Sequence, residues 1–186
     1  MKPMTRLADI REGVKGLPRK RMAVAYGEDA HTLQAVGRAA GEGIVDAIVV
    51  GNRTKITEVA TGCGVDTSLF EVLDVDGEMP SVKAAVRLVR EHKADMLMKG
   101  LAHTDNYMRG ILDKEAGLLP ESGLLSHVSV FEVPSYPRLM IMSDVAVIPL
   151  PSLDEKVRMT GYDVEVAHKL GIERPKVAFL AASESV

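Results

Sequence analysis

The chain has 186 residues, 46% of them hydrophobic and 26% charged, with a formal net charge of −3. That length allows one good core or two small ones, since domains mostly hold about 100–150 residues. The composition excludes a disordered chain, and the absence of a clustered basic excess argues against general nucleic-acid binding, leaving room only for a focused anion pocket. The single Cys63 has no disulfide partner or zinc-spaced companions, and the five histidines show no HxxxH pair. Residues 1–20 mix Arg6, Asp9, Arg11, Glu12, Lys15, Arg19 and Lys20 with scattered apolar residues, so they form no signal-peptide core, and no later run is long enough to span a bilayer. A reducing, cytoplasmic setting without membrane contact is the expectation.

Leu7 to Val14 has the pattern of a short amphipathic helix ended by Gly16 and Pro18. Met22 to Tyr26 is the first apolar strand, Ala30 to Gly41 a helix, and Val45 to Val50 a second strand with the unbroken apolar run of a sheet covered on both faces. Gly41-Glu42-Gly43 precedes that strand, so it is a helix stop and not a dinucleotide fingerprint. Gly51 to Thr54 then lies at the carboxyl end of the second strand, the edge where open α/β sheets bind ligands. Thr54 is the expected cap of the next helix. Arg53 is a candidate anion contact there, or else a solvated loop arginine. Phe70 to Val75 reads as a third strand, Ser81 to Lys93 as an amphipathic helix, and Asp95 to Met98 as a fourth strand. Repeated β-α-β units with right-handed crossovers imply a parallel sheet whose ligand edge carries Gly27, Gly51 and Gly100 together.

Lys99-Gly100 is the exit of the fourth strand, with Thr104 as the expected N-cap of a helix running to about Gly117. First-turn N–H groups and the positive dipole end suit a phosphate, with Lys99 or Arg109 adding charge. A second reading stays open here. Asp105, Arg109 and Asp113 recur every fourth residue, a pattern equally served by ion pairing on a solvated helix face.

Past Pro120 the pattern changes. Ser126 to Val133 and Arg138 to Ser143 are two strands joined by Pro134-Ser135-Tyr136-Pro137, an expected hairpin. A hairpin after helix-separated strands marks a new domain, which divides the chain into a first α/β domain over residues 1–120, with its cleft loop at 99–109, and the start of a second over 121–186. Asp144 follows the hairpin, Ser152 caps a long helix through Leu170, Gly171 closes it, and Val177 to Ala182 is the last expected strand.

Three blocks, MKGLAHTDNYMRGILDKEAGL, SGLLSHVSVFEVPSYPRLMIMSDVAVIPLPSLDEK and GIERPKVAFLAASESV, resemble in order and spacing the phosphate acetyl/butyryltransferase family, most of all its phosphate butyryltransferase branch. The resemblance runs from about Met22 to Val186. It implies a two-domain α/β, parallel-sheet sandwich of the isocitrate/isopropylmalate dehydrogenase type, with the second domain incomplete in this chain. It also implies acyl transfer between coenzyme A and inorganic phosphate in the interdomain cleft, with both as substrates, no cofactor and no metal, in a homodimer or higher homo-oligomer. The family's H-T-x-x-x-x-R segment falls on His103, Thr104 and Arg109, which makes Arg109 the implied phosphate contact. His103 is a candidate acid or base, and Lys99, Gly100, Thr104, Arg53 and Asp144 are candidate substrate contacts. A second function class, a non-catalytic fragment or phosphometabolite-binding module of the same fold, stands beside the enzyme reading. A dinucleotide-dependent dehydrogenase is a weaker third, because no properly placed fingerprint is present.

Overall fold

The computed structural model describes residues 3–180. They fall into two compact units: Val14–Gly123, and the residues up to Gly13 together with those from Leu124 onward.

The Val14–Gly123 unit is built on four parallel strands, β1 (Lys20–Ala25), β2 (Val45–Gly51), β3 (Phe70–Asp74) and β4 (Met96–Lys99), in the order β3-β2-β1-β4. Strands β1 to β3 are laid down in one direction, and β4 then returns to the other side of β1. Right-handed crossovers put helices built in opposite directions on opposite faces of a sheet. Helices α2 (Ala30–Gly41) and α3 (Arg53–Gly62) accordingly cover one face, where Leu33, Val36, Ile56 and Ala60 pack on Met22, Val24, Ala47 and Val49. Helices α4 (Glu78–Arg90) and α5 (Thr104–Ile111) belong to the other, where Val82, Ala85, Val86 and Ala102 join Ala23, Ala25 and Val50. Successive β1 side chains therefore alternate between two cores, which is why β1 reads as a continuous apolar run. On the second face the bare Cα of Gly110 lets α5 lie against Val82, whose Cγ1 would be 2.5 Å from an added Cβ.

The first three strands, α2 and β4 lie within one or two residues of the sequence expectation. Four boundaries differ: α4 stops at Arg90, short of the expected Lys93, and the other three have local reasons. Helix α3 is capped by Asn52, whose side chain accepts from Lys55 N, and not by Thr54. Helix α4 begins at Glu78 instead of Ser81, because Pro80 sits in the first turn, where a missing N–H costs nothing. Helix α5 ends at Ile111, well short of Gly117. Asp113 is the reason: its Oδ1 accepts from Glu115 N at 3.0 Å and Ala116 N at 2.8 Å, a side-chain turn that competes with the helix.

The other unit holds helix α1 up to Gly13 (α1 spans Leu7–Val14), the antiparallel pair β5 (Ser129–Phe131) and β6 (Met140–Met142), and α6 (Leu153–Lys169). The hairpin is present but its strands are short, since Ser126 Oγ and His127 N are both turned to Asp144. The N-terminal residues, expected with the first domain, group here instead: Met4 N donates to Leu170 O, and Leu7 N to the Glu132 carboxylate, each at 2.9 Å. Ser152 and Glu155 cap α6 reciprocally in a capping box, and Ile172 N returns to Ala167 O to close it. No strand covers Val177–Leu180; the rest of that expected strand, Ala181 and Ala182, lies outside the described residues. No helix among the described residues is long and apolar enough to cross a membrane.

The return of β4 to β1 is sealed beyond the ladder. Gly100 N donates to Ala25 O at 3.0 Å and Leu101 N to Tyr26 O at 2.8 Å. A Cβ on Gly100 would stand 2.5 Å from Tyr26 O and 2.8 Å from Ala25 O, both main-chain atoms that cannot swing aside. Gly100→Ala is expected to lower stability by about 1–3 kcal/mol, the usual cost of overpacking, measured as a drop in the urea midpoint at unchanged slope.

Candidate functional site

In an open parallel sheet the crevice for a ligand lies beyond the carboxyl ends of the two strands where the winding direction reverses. Here those strands are β1 and β4. The crevice is flanked by Tyr26–Asp29 after β1 and by Gly100–His103 after β4, so Lys99, Gly100, His103, Thr104 and Arg109 all come from one of its walls and the helix that follows.

The β1 wall is organised by a residue the sequence reading passed over. Glu28 has a side chain only 3% exposed, accepts from Asn52 N at 2.8 Å through Oε1, and pairs with Lys55 Nζ at 3.3 Å through Oε2. Buried carboxylates persist when hydrogen-bonded and paired, and this one ties the β1 exit to the start of α3. Tyr26 turns the chain just before it with φ at 60°, a left-handed conformation uncommon for a residue with a side chain. Burial first, and then the Glu28 charge, push the Tyr26 phenol up. The Glu28 contact raises Lys55 in turn.

The β4 wall is organised by a second overlooked carboxylate. Glu78, in the first turn of α4, accepts from His103 N at 2.7 Å and Asn106 Nδ2 at 2.8 Å through Oε1, and its Oε2 lies 2.9 Å from His103 Nδ1. The Asn106 amide, the His103 ring and the His103 N–H together hold its pKa down, from an ordinary 4.5 to about 2. His103, not Thr104, occupies the N-cap position of α5, and it makes no side-chain cap bond. Glu78 takes over the capping from another helix. The signal available in the sequence was an acidic residue directly after Asp76-Gly77 at a helix start.

Lys99 and Arg109 are exposed. Neither side chain has a hydrogen bond or ion pair among the described residues, and Asp113 spends one oxygen on its own turn, so the ladder Asp105-Arg109-Asp113 is not formed. Thr104 is the first residue of α5 and exposed. Arg53 is not brought to this crevice. Its N–H donates to Asp74 and its guanidinium to Val72 O at 2.7 Å, on the β3 side of β2, where Thr54, Thr57 and Thr61 line an open depression along α3. Asp144 belongs to the other unit. Its carboxylate accepts from Ser126 Oγ at 3.1 Å, His127 N at 2.9 Å, and Ala146 N and Val147 N at 2.7 Å each. Burial works to push it up, but the amides of Val147, His127, Ala146 and Ile148 outweigh that and leave it far below the usual carboxylate range. This aspartate knots its own loop, and both of its oxygens are already engaged.

The fold is that of a doubly wound parallel α/β protein with its switch point between β1 and β4. The chain belongs to the phosphate acetyl/butaryl transferase family, which it matches over residues 7–83 and 78–186. It is 41% identical over 173 residues to a phosphate butyryltransferase of Clostridium acetobutylicum, a match covering 93% of this chain and 57% of that protein. It resembles in structure a branched-chain phosphotransacylase from Enterococcus faecalis V583, with a TM-score of 0.71 at 26% identity over 89% of this chain and 57% of that one. A phosphotransacetylase from Streptococcus pyogenes shares the fold, at TM-score 0.76 and 15% identity over 90% of this chain and 60% of that one. The chain therefore spans a little over half the length of these relatives.

Glu78 makes the site acid-sensitive in a defined direction. Its pKa is depressed in the folded state, so the stabilisation is complete above pH 4.5 and is lost as pH falls from there toward about 2. Glu78→Gln is expected to flatten the pH dependence of Tm across that window while leaving the curve parallel to wild type at higher pH; calorimetry of both proteins in acidic buffers reads the difference.

Proposed function

We propose that this chain carries the phosphate side of an acyltransferase that moves a short acyl group, butyryl in the first instance, between coenzyme A and inorganic phosphate. The observation that supports it most is the position of the H-T-x-x-x-x-R segment. In a family member, it leaves the sheet at the β1/β4 switch point with Lys99 and Arg109 both exposed and unpaired among the described residues. Two exposed cations without a carboxylate partner leave a positive local potential, which a bound anion would neutralise.

In this reading Arg109 holds phosphate through its planar fork, Lys99 adds charge, and the first-turn amides after His103 supply further donors. Gly100 and Thr104 shape the loop. As a phosphate oxygen attacks the thioester carbonyl, His103 Nε2 takes the phosphate proton. The new C–O bond forms, the C–S pair leaves with sulfur, and the imidazolium returns the proton to the thiolate, so that acyl phosphate and the free thiol are the products. The barrier falls through positioning of two bound reactants and through neutralisation of the phosphate and the developing oxyanion. We further read the two units as parts of an isocitrate/isopropylmalate dehydrogenase-type architecture, acting as a homodimer or larger homo-oligomer in the cytoplasm. Coenzyme A and phosphate are substrates in this scheme, with no further cofactor. Arg53 and Asp144, tied to Val72 and to their own loop respectively, are not assigned to the phosphate.

Free thiol should be released from butyryl-CoA only when phosphate is present, and a chelator should leave the rate unchanged. Arg109→Ala should lower kcat/KM for phosphate by roughly thirty- to a thousandfold, about 2–4 kcal/mol of transition-state stabilisation, with Tm little altered. Arg109→Lys should recover part of the loss, since it keeps the charge without the fork. Thiol release independent of phosphate would make the protein a thioesterase, and unchanged phosphate dependence in Arg109→Ala would remove Arg109 from the site.

A further inference from the structure

The contact between Glu78 and His103 says more than that two groups touch. Oε1 of Glu78 already receives two hydrogens, from the His103 main chain at 2.7 Å and the Asn106 amide at 2.8 Å, so the carboxyl group acts as an acceptor at that oxygen. Its Oε2 is 2.9 Å from His103 Nδ1. A carboxylate has no hydrogen to give, and a bare Nδ1 at that distance would set lone pair against lone pair. The hydrogen therefore belongs on Nδ1. The same ring is 82% exposed, and Nε2 has no partner among the described residues.

From this geometry we propose that Glu78 is a positioning residue for His103: it locks the neutral imidazole in the Nδ1–H tautomer and presents the Nε2 lone pair at the crevice edge. An unconstrained neutral histidine prefers the opposite tautomer, with hydrogen on Nε2, which could donate to a phosphate but could not take its proton. A carboxylate behind the ring reverses that preference, the same physical device that orients the histidine of a Ser-His-Asp triad. The arrangement is well braced. Glu78 stands in the first turn of α4, where the helix dipole favours a carboxylate, and its grip on both His103 N and Asn106, three residues on, fixes the ring's backbone as well as its hydrogen. The use of the exposed Nε2 as a base rests on the acyl-transfer reading above; the tautomer itself does not.

Long-range proton–nitrogen correlation spectra of the chain, recorded without phosphate at a pH where the imidazoles are neutral, separate the two tautomers directly. The His103 ring is identified by its disappearance in His103→Gln. The expected spectrum has a protonated Nδ1 and a bare Nε2, with an Nδ1–H to Nε2–H ratio above one. That ratio should invert to below one in Glu78→Ala and stay above one in Asn106→Ala, which removes a Glu78 donor but not the contact to Nδ1. A wild-type ring with its hydrogen on Nε2 overturns the proposal even if Glu78→Ala fails to fold, and so does a folded Glu78→Ala that keeps the Nδ1–H form. A wild-type Nδ1–H ring that inverts in Glu78→Ala, in a protein that releases no thiol from butyryl-CoA and phosphate, supports the positioning role and overturns the acyl-transfer reading, so the two failures are distinguishable.

Discussion

The whole edge depends on how closely β4 can follow β1. Gly100 and Leu101 extend the parallel ladder past the end of the strand by donating to Ala25 O and Tyr26 O, and the absence of a side chain at Gly100 is what permits that approach. The contact converts a chain that had been winding one way, through β1, β2 and β3, into a sheet with a reversal in the middle. A reversal opens a crevice, because the loops after the two adjacent strands turn to opposite faces. The placement of Lys99 and His103 on one wall, with Arg109 on the helix that follows, and of Tyr26 and Glu28 on the other, goes with that one backbone contact.

Two carboxylates then fix the walls, and they do so differently. Glu28 is buried and works inward, joining the β1 exit to Asn52 and Lys55. Glu78 reaches across from α4 and works at the rim, where it takes over the capping of α5 and engages the ring of His103. Each spends its negative charge on groups of the protein itself, which lessens its opposition to an incoming anion. Lys99 and Arg109 keep theirs. Asp105, also exposed on α5, offsets part of that positive charge, so the segment from Lys99 to Arg109 carries two exposed cations and one exposed carboxylate in a chain whose formal net charge is −3.

Much of this was legible in the residues. The apolar runs at Met22–Tyr26 and Val45–Val50 have the length and composition of strands with both faces covered, and the succession of β-α-β units implies a parallel sheet. The order of strands was not legible, because nothing local distinguishes a β4 that pairs with β3 from one that pairs with β1. That ambiguity is why Arg53 stands in the sequence as a further candidate anion contact beside Arg109: both follow a strand, but only one follows a strand at the reversal. Pairing over distance was hidden as well. The Glu78 to His103 contact spans 25 residues, and Asp144 collects donors from Ser126 to Val147, contacts that no local pattern shows. The early stop of α5 had a readable cause in Asp113, whose side chain offers the backbone an alternative to the helix.

We place the proposed anion site at the β4 exit and the start of α5. The most direct test is a titration of the isotopically labelled chain with inorganic phosphate, followed through every backbone amide at constant ionic strength. Saturable shifts are expected in Lys99 to Arg109, with smaller ones at the facing Tyr26–Asp29 turn and none along α3 beside Arg53. Saturable shifts centred on Arg53 and α3, or around Asp144, with the Lys99–Arg109 amides unmoved, would contradict it.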